Sequence, residues 1–316
     1  MRKIIVTSVA LVFLASATPM TLAKSNAVLT DCIDGSDAQA LSVCTTIIDS
    51  GKISAGPASD FELALAHYYR GRALLNNEQK NEALADFNAT IRLNPQYYQA
   101  YNYRGNILSD RALYQEAIDS FTQAIAIKPD YGDGFYNRGR NYALINELEL
   151  SIADQTEAIR IWPEDAEAYN SRGIQYSDTG RYELAAADFA ESIRIDPDYS
   201  FPHNNWGRNF QLQGLYKQSL THYLGAINVD PEYGTAYYGL GLAYDNMDRL
   251  QSAVDNYSKA IQFRDNYIDA YFARSLVRES LGDLTGAISD MDSAYAIDPN
   301  DIEVKEHLKR LYGLRP

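Results

Sequence analysis

The residues of this chain that could carry chemistry are four histidines, two cysteines and a set of arginines and aspartates at a fixed separation. His67 and His203 fall in a column of an internal repeat whose other members are Tyr101, Phe135, Tyr169, Tyr237 and Tyr271, so aromatic packing accounts for them. His222 and His307 have no Cys or His at ligand spacing, which leaves a zinc ion without donors. The carboxylate pairs Asp34 and Asp37, and Glu164 and Asp165, sit in turns and near helix starts, where capping uses them. Phosphate loops, dinucleotide fingerprints and nucleophile elbows are absent from the sequence. The expectation is therefore a non-catalytic protein with no cofactor and no metal.

The arginines point to structure. Arg70, Arg104, Arg138, Arg172, Trp206, Leu240 and Arg274 occupy one column, and sixteen residues later stand Asp86, Ser120, Asp154, Asp188, His222, Asn256 and Asp290. Aspartate occurs only where the arginine occurs, and the two are lost together at Trp206 and Leu240. A charge-assisted contact is expected for Arg70 with Asp86, Arg138 with Asp154, Arg172 with Asp188 and Arg274 with Asp290. Arg104 is the exception, with Asp119 one place out of register.

Cys32 and Cys44 are twelve positions apart, too far to bond along one straight helix at about 1.5 Å per residue. Asp34-Gly35-Ser36-Asp37 between them offers a turn on which two short helices can fold back. In an oxidising compartment a disulfide is expected, worth about 3 kcal/mol; the alternative is two separate buried thiols. The compartment is read from the N-terminus. Arg2 and Lys3 precede an apolar stretch from Ile4 to Leu14, and Thr21-Leu22-Ala23 supplies small residues for cleavage, so residues 1–23 read as a secretory signal peptide. The apolar run is too short to span a bilayer, so no membrane insertion of the mature chain is expected. The location is expected to be the periplasm, with full secretion as the alternative. With 28 Lys+Arg against 42 Asp+Glu and no basic run, the chain lacks the clustered cations that bind nucleic acid.

The elements that hold these residues follow from a 34-residue period. Prolines recur at Pro95, Pro129, Pro163, Pro197, Pro231 and Pro299, with Asp265 at the skipped beat. Gly71, Gly105, Gly139, Gly173, Gly207, Gly241 and Ser275 keep the same step, as do Ala83, Ala117, Ser151, Ala185, Ser219, Ala253 and Ala287. Four residues beyond these small residues come Phe87, Phe121, Gln155, Phe189, Tyr223, Tyr257 and Met291. Each repeat reads as two amphipathic helices. The glycine and the small residue permit close approach of the pair, the aromatics fill the gaps beside that contact, and the proline ends the second helix.

These columns resemble the tetratricopeptide repeat, with seven repeats over residues 57–301. The resemblance implies an all-α, right-handed α-solenoid of helix-turn-helix repeats with terminal caps. Residues 24–56 are expected to form an N-terminal half-repeat stapled by the cysteines, and residues 302–316 a C-terminal capping helix. It also implies that the first helix of each repeat lines a concave groove that binds an extended segment of a partner protein or peptide. On that face stand Asn102, Asn106, Asn137, Asn170, Asn204 and Asn205, whose amides can pair with any peptide backbone. Arg72, Arg140 and Arg208 could grip carboxylates, and Tyr68, Tyr136 and Tyr238 could act as aromatic anchors. Some family members clamp a partner's C-terminal carboxylate; Asn106 and Asn137 match their asparagines, but Asn102, Glu167 and Ser171 stand where cations are required. The expected function is an envelope scaffold. The alternative is a binder of carbohydrate or cell-wall glycan, since a groove rich in tyrosine and amides also suits sugars, and the chain has 25 tyrosines. Exposed solenoid ends also allow self-association.

Overall fold

The computed structural model describes residues 19–53 and 56–314, and most of the expected signal peptide lies outside them. The chain divides into two compact bodies that meet in sequence at Asp130 and Tyr131. The N-terminal body opens with α1 (Pro19–Asp34), α2 (Asp37–Ser50) and a hairpin of β1 (Lys52–Ile53) and β2 (Gly56–Pro57). Two helix pairs follow, α3 (Asp60–Asn76) with α4 (Lys80–Leu93) and α5 (Tyr98–Asp110) with α6 (Tyr114–Ile127). The C-terminal body contains α7 (Gly132–Leu144) with α8 (Leu148–Ile161), α9 (Ala166–Asp178) with α10 (Tyr182–Ile195), and α11 (Ser200–Leu212) with α12 (Tyr216–Val229). It continues with α13 (Gly234–Asn246) and α14 (Leu250–Phe263), then α15 (Ile268–Ser280) and α16 (Leu284–Ile297), and closes on α17 (Ile302–Gly313). The architecture is an all-α solenoid of consecutive packed helix pairs.

Each pair ends where the chain can no longer continue a helix. Asp196, Asp230 and Asp298 leave the last turn, and their carboxylates accept the backbone N–H of Asp198, Glu232 and Asn300 across the intervening proline. The turn inside each pair uses a left-handed residue seven places after the glycine column. Gly180, Gly214 and Gly282 adopt it freely, while Glu78, Ala112, Asn146 and Asp248 hold φ between 58° and 62° with a side chain attached.

The close contact inside a pair differs from the sequence expectation. The aromatic ring does not fill a gap beside the glycine; it occupies the glycine notch itself. A Cβ added to Gly173 would lie 2.7 Å from a ring carbon of the fully buried Phe189. In the third repeat Gln155 replaces the ring, and its amide donates to the Tyr136 carbonyl at 3.2 Å.

All four expected arginine–aspartate pairs are present, and each is bidentate. Arg70 meets Asp86 at 2.8 and 2.8 Å, Arg138 meets Asp154 at 2.7 and 2.8 Å, and Arg172 meets Asp188 at 2.8 and 2.8 Å. Arg274 meets Asp290 at 3.0 and 2.5 Å. The remaining guanidinium nitrogen reaches back to a hydroxyl on the preceding even-numbered helix, Thr45 for Arg70, Thr156 for Arg172 and Ser258 for Arg274. One arginine therefore fastens three helices, a role that pair spacing alone does not reveal. Arg104 donates to Ser120 at 3.1 Å, whereas Asp119 accepts from Gln115. Burial raises the Asp86 pKa, but the bonds from Arg70 and His67 outweigh it and hold the carboxyl below its ordinary value. Asp154 has the same burial opposed by Arg138 without a histidine, and its pKa stays above the ordinary value.

Cys32 and Cys44 form the expected disulfide, with Cα atoms 5.1 Å apart, joining α1 to α2. Both are fully buried with Ile47 and Ile53, and the Ser36–Gln39 capping box starts α2 directly after the turn.

Candidate functional site

In the C-terminal body the odd-numbered helices touch not only their own partners but one another, α7 with α9, α9 with α11, α11 with α13 and α13 with α15. Successive even-numbered helices approach one another less. The odd helices are therefore the inner layer of this body, and side chains one turn apart on them share a face.

Asn137, Arg140, Asn170, Asn204, Asn205, Arg208, Tyr136 and Tyr238 all lie on this inner layer. Tyr68, Asn102 and Asn106 lie on α3 and α5 of the N-terminal body. The amides of α9 and α11 bond to one another: Asn205 Nδ2 donates to Asn170 Oδ1 at 2.9 Å, and Asn204 Nδ2 to Asn205 Oδ1 at 3.4 Å. Asn170 Nδ2 in turn donates to the Tyr199 hydroxyl at 3.4 Å. Asn102, Asn170 and Asn204 are buried, whereas Asn106, Asn137 and Asn205 keep part of their surface in solvent. The Asn204 Oδ1 atom is buried and has no donor.

Of the three tyrosines expected as aromatic anchors, Tyr68 is buried. It is only 6% exposed, its ring being enclosed by Tyr69, Phe87, Tyr97 and Tyr103. Such a ring stabilises the core and has no free face for a partner. Tyr136 and Tyr238 are half-buried and remain accessible. The Tyr136 hydroxyl donates to the exposed Glu167 at 3.2 Å, and burial followed by the Glu167 charge raises its pKa. Tyr238 packs on Tyr267 at 4.9 Å between centroids, and burial followed by Asp269 raises its pKa. Both phenols therefore act as neutral hydrogen-bonding groups.

The two arginines expected in the groove on this layer, Arg140 and Arg208, are engaged. Arg208 donates to Asp178 at 2.8 Å, and the Arg140 guanidinium lies 5.8 Å from the Tyr136 ring centroid. Beside Arg208, the side chains of Gln211, Leu212, Tyr216, Leu242 and Asn246 surround a shallow pocket of about 290 Å³. Gln211 is held there by accepting from Tyr223 at 2.6 Å and donating to the Gly239 carbonyl at 2.9 Å.

Sequence reasoning passed over Phe201 and Leu212, which are 49% and 45% exposed on α11. For Phe201 the available signal was a large apolar residue at a repeat position where other repeats carry Asp133, Glu167 and Asp269. Among the described residues, no group of three or more His, Cys, Asp or Glu is placed to hold a metal ion. Nor is any helix among them long and apolar enough to cross a membrane.

Sequence profiles of the tetratricopeptide repeat match residues 68–132, 166–199, 234–267 and 268–301, and a profile described as TPR repeat matches residues 207–248. No curated protein matches the sequence. A tetratricopeptide repeat protein from Parabacteroides merdae has 21% identity and a TM-score of 0.66, over 79% of this chain and 98% of that one. The APC/C hetero-tetramer Cut9-Hcn1 gives 18% identity and a TM-score of 0.62, over 92% of this chain and 55% of that one, so the present chain spans about half of it. YrrB, described as a TPR protein with an unusual peptide-binding site, gives 22% identity and a TM-score of 0.51, over 61% of this chain and 95% of that one. With its repeat columns, its paired helices and more than half of its length matched by these profiles, the chain belongs to the tetratricopeptide-repeat family.

Proposed function

We propose that this protein is a non-catalytic scaffold of the bacterial cell envelope that binds an extended segment of a partner protein along the inner layer of its C-terminal body. The observation that carries the reading is the amide chain Asn170–Asn205–Asn204, which bridges α9 and α11 beside the accessible Tyr136 and Phe201. Amides held by one another are pre-positioned, so a ligand backbone meets donors and acceptors already ordered. YrrB, whose fold is similar, is described as having a peptide-binding site, which supports the reading by analogy. Export is supported by the basic and apolar start of the sequence and by the buried disulfide, which persists in oxidising compartments.

The test is a pull-down from an envelope extract with the mature chain, run beside a variant carrying Asn137→Ala and Asn205→Ala and matched for thermal stability. A protein retained by the parent and lost from the variant is the expected result. Equal retention by both overturns inner-layer binding, and retention of purified cell-wall glycan in place of protein favours the carbohydrate reading.

A further inference from the structure

Within this reading, the inner layer around α9 and α11 has a chemical bias. Glu167 is exposed at the start of α9, and one turn later Asn170 leads to the Tyr199 hydroxyl. The Tyr199 ring lies 5.4 Å from that of Phe201, and Phe201 lies 5.2 Å from Tyr233. These elements form one cradle: a carboxylate at its edge, an aromatic wall with the half-exposed Phe201 face, and amide oxygens at its floor. The Tyr199 phenol stays neutral, because burial, followed by Tyr136 and the Glu167 charge, raises its pKa. The exposed Glu167 carboxylate accepts from the uncharged Tyr136 phenol at 3.2 Å, while Arg208 is paired with Asp178 and the Arg140 guanidinium lies over the Tyr136 ring.

The arrangement is rich in acceptors and poor in donors. The Asn204 Oδ1 atom is buried without a hydrogen-bond donor, and the part-exposed Asn205 amide beside it is bonded to both Asn170 and Asn204. The second aromatic pair of the same layer, Tyr238 and Tyr267 beside the exposed Asp269, already carries a cation of this chain, the Arg264 guanidinium 4.4 Å from the Tyr267 ring centroid. The whole chain is acidic, with net charge −14, so its long-range field also attracts cations.

We propose that the inner layer selects extended peptides bearing lysine or arginine, with one cationic side chain seated between Glu167 and the Tyr199–Phe201 wall. The carboxylate supplies the charge-assisted hydrogen bond, the ring faces supply cation–π attraction, and the part-exposed Asn205 amide oxygen accepts a peptide N–H. An acidic segment is repelled by the exposed Glu167 and Asp269.

The inference rests on the peptide-binding reading, and one experiment separates the two. A random 12-residue peptide library is selected on the mature chain, and recovered peptides are measured against the parent, Glu167→Gln, Phe201→Ala and the control Asp255→Asn on α14. The expected result is enrichment of Lys and Arg, binding that weakens as salt rises, and about a fivefold or greater loss in Glu167→Gln and Phe201→Ala but not in the control. Peptides that bind the inner layer without cationic enrichment, or cationic peptides indifferent to both variants, overturn the inference while leaving peptide binding in place. Recovery of no binding peptide overturns both.

Discussion

The indole of Trp206 stacks on the imidazole of His222 at 4.2 Å between centroids, in the slot where four other repeats place a bidentate arginine–aspartate pair. Phe210 also stacks on the imidazole, at 5.2 Å between centroids. The fifth repeat has exchanged an ionic fastener for an aromatic one, and the exchange makes its stability sensitive to pH.

Burial, followed by the nearby His203, pushes the His222 pKa from 6.5 down to about 4, and burial also lowers that of His203. The fold accepts the neutral imidazole. Its contribution is therefore complete above pH 6.5, the ordinary histidine value, and is lost as pH falls through about 4. Thermal melts between pH 7 and 4 are expected to show a loss of about 2 kcal/mol from this group, after allowance for partial solvation. A His222→Phe variant should flatten that part of the profile; a slope identical to the parent's would refute the assignment.

The arginine fastener predicts strong non-additivity. Arg172→Met strands Asp188, which is 6% exposed, and is expected to cost about 3 kcal/mol. The double variant Arg172→Met with Asp188→Leu removes both charges and should cost about 1 kcal/mol. Urea unfolding of the two single variants and the double variant measures the coupling. Additive losses would mean that the pair is not a unit.

The left-handed turn column offers opposite substitutions at equivalent places. Gly180 has φ 76° and open space around a would-be Cβ, so Gly180→Ala tests backbone strain alone and is expected to cost about 1 kcal/mol. Ala112, with φ 58°, already bears that strain, and Ala112→Gly should gain about 0.5 kcal/mol after the entropic cost of glycine. Melting temperatures that move in the same direction for both would contradict this account.

Reduction of Cys32–Cys44 should act locally. The loop-closure estimate for this separation is about 3 kcal/mol, and a repeat chain transmits such a loss mainly to neighbouring elements. Hydrogen exchange with and without reductant is expected to show loss of protection in α1 and α2 and unchanged protection in α13 to α16. Loss spread evenly along the chain would be the contrary outcome.

The helix pairs, their turns and the arginine–aspartate contacts were legible in the sequence because each obeys a local or repeated rule. Helical periodicity, a proline that ends a helix and a sixteen-residue offset between paired helices all recur every 34 residues. A single repeat is ambiguous, but seven in register are not. The hairpin of β1 and β2 precedes the first periodic helix, α3, and had no such signal.

What tertiary structure decided was which of two chemically alike side chains is free. Tyr68 and Tyr136 occupy the same repeat position, yet Tyr68 is enclosed by four aromatic rings and Tyr136 reaches Glu167. Asn170 and Asn205 look equally available in sequence, but one is buried and the other half-exposed, and they bond to each other. Periodicity specifies the face of a helix. Exposure depends on the neighbours that adjoining repeats bring to that face, and those neighbours vary from repeat to repeat.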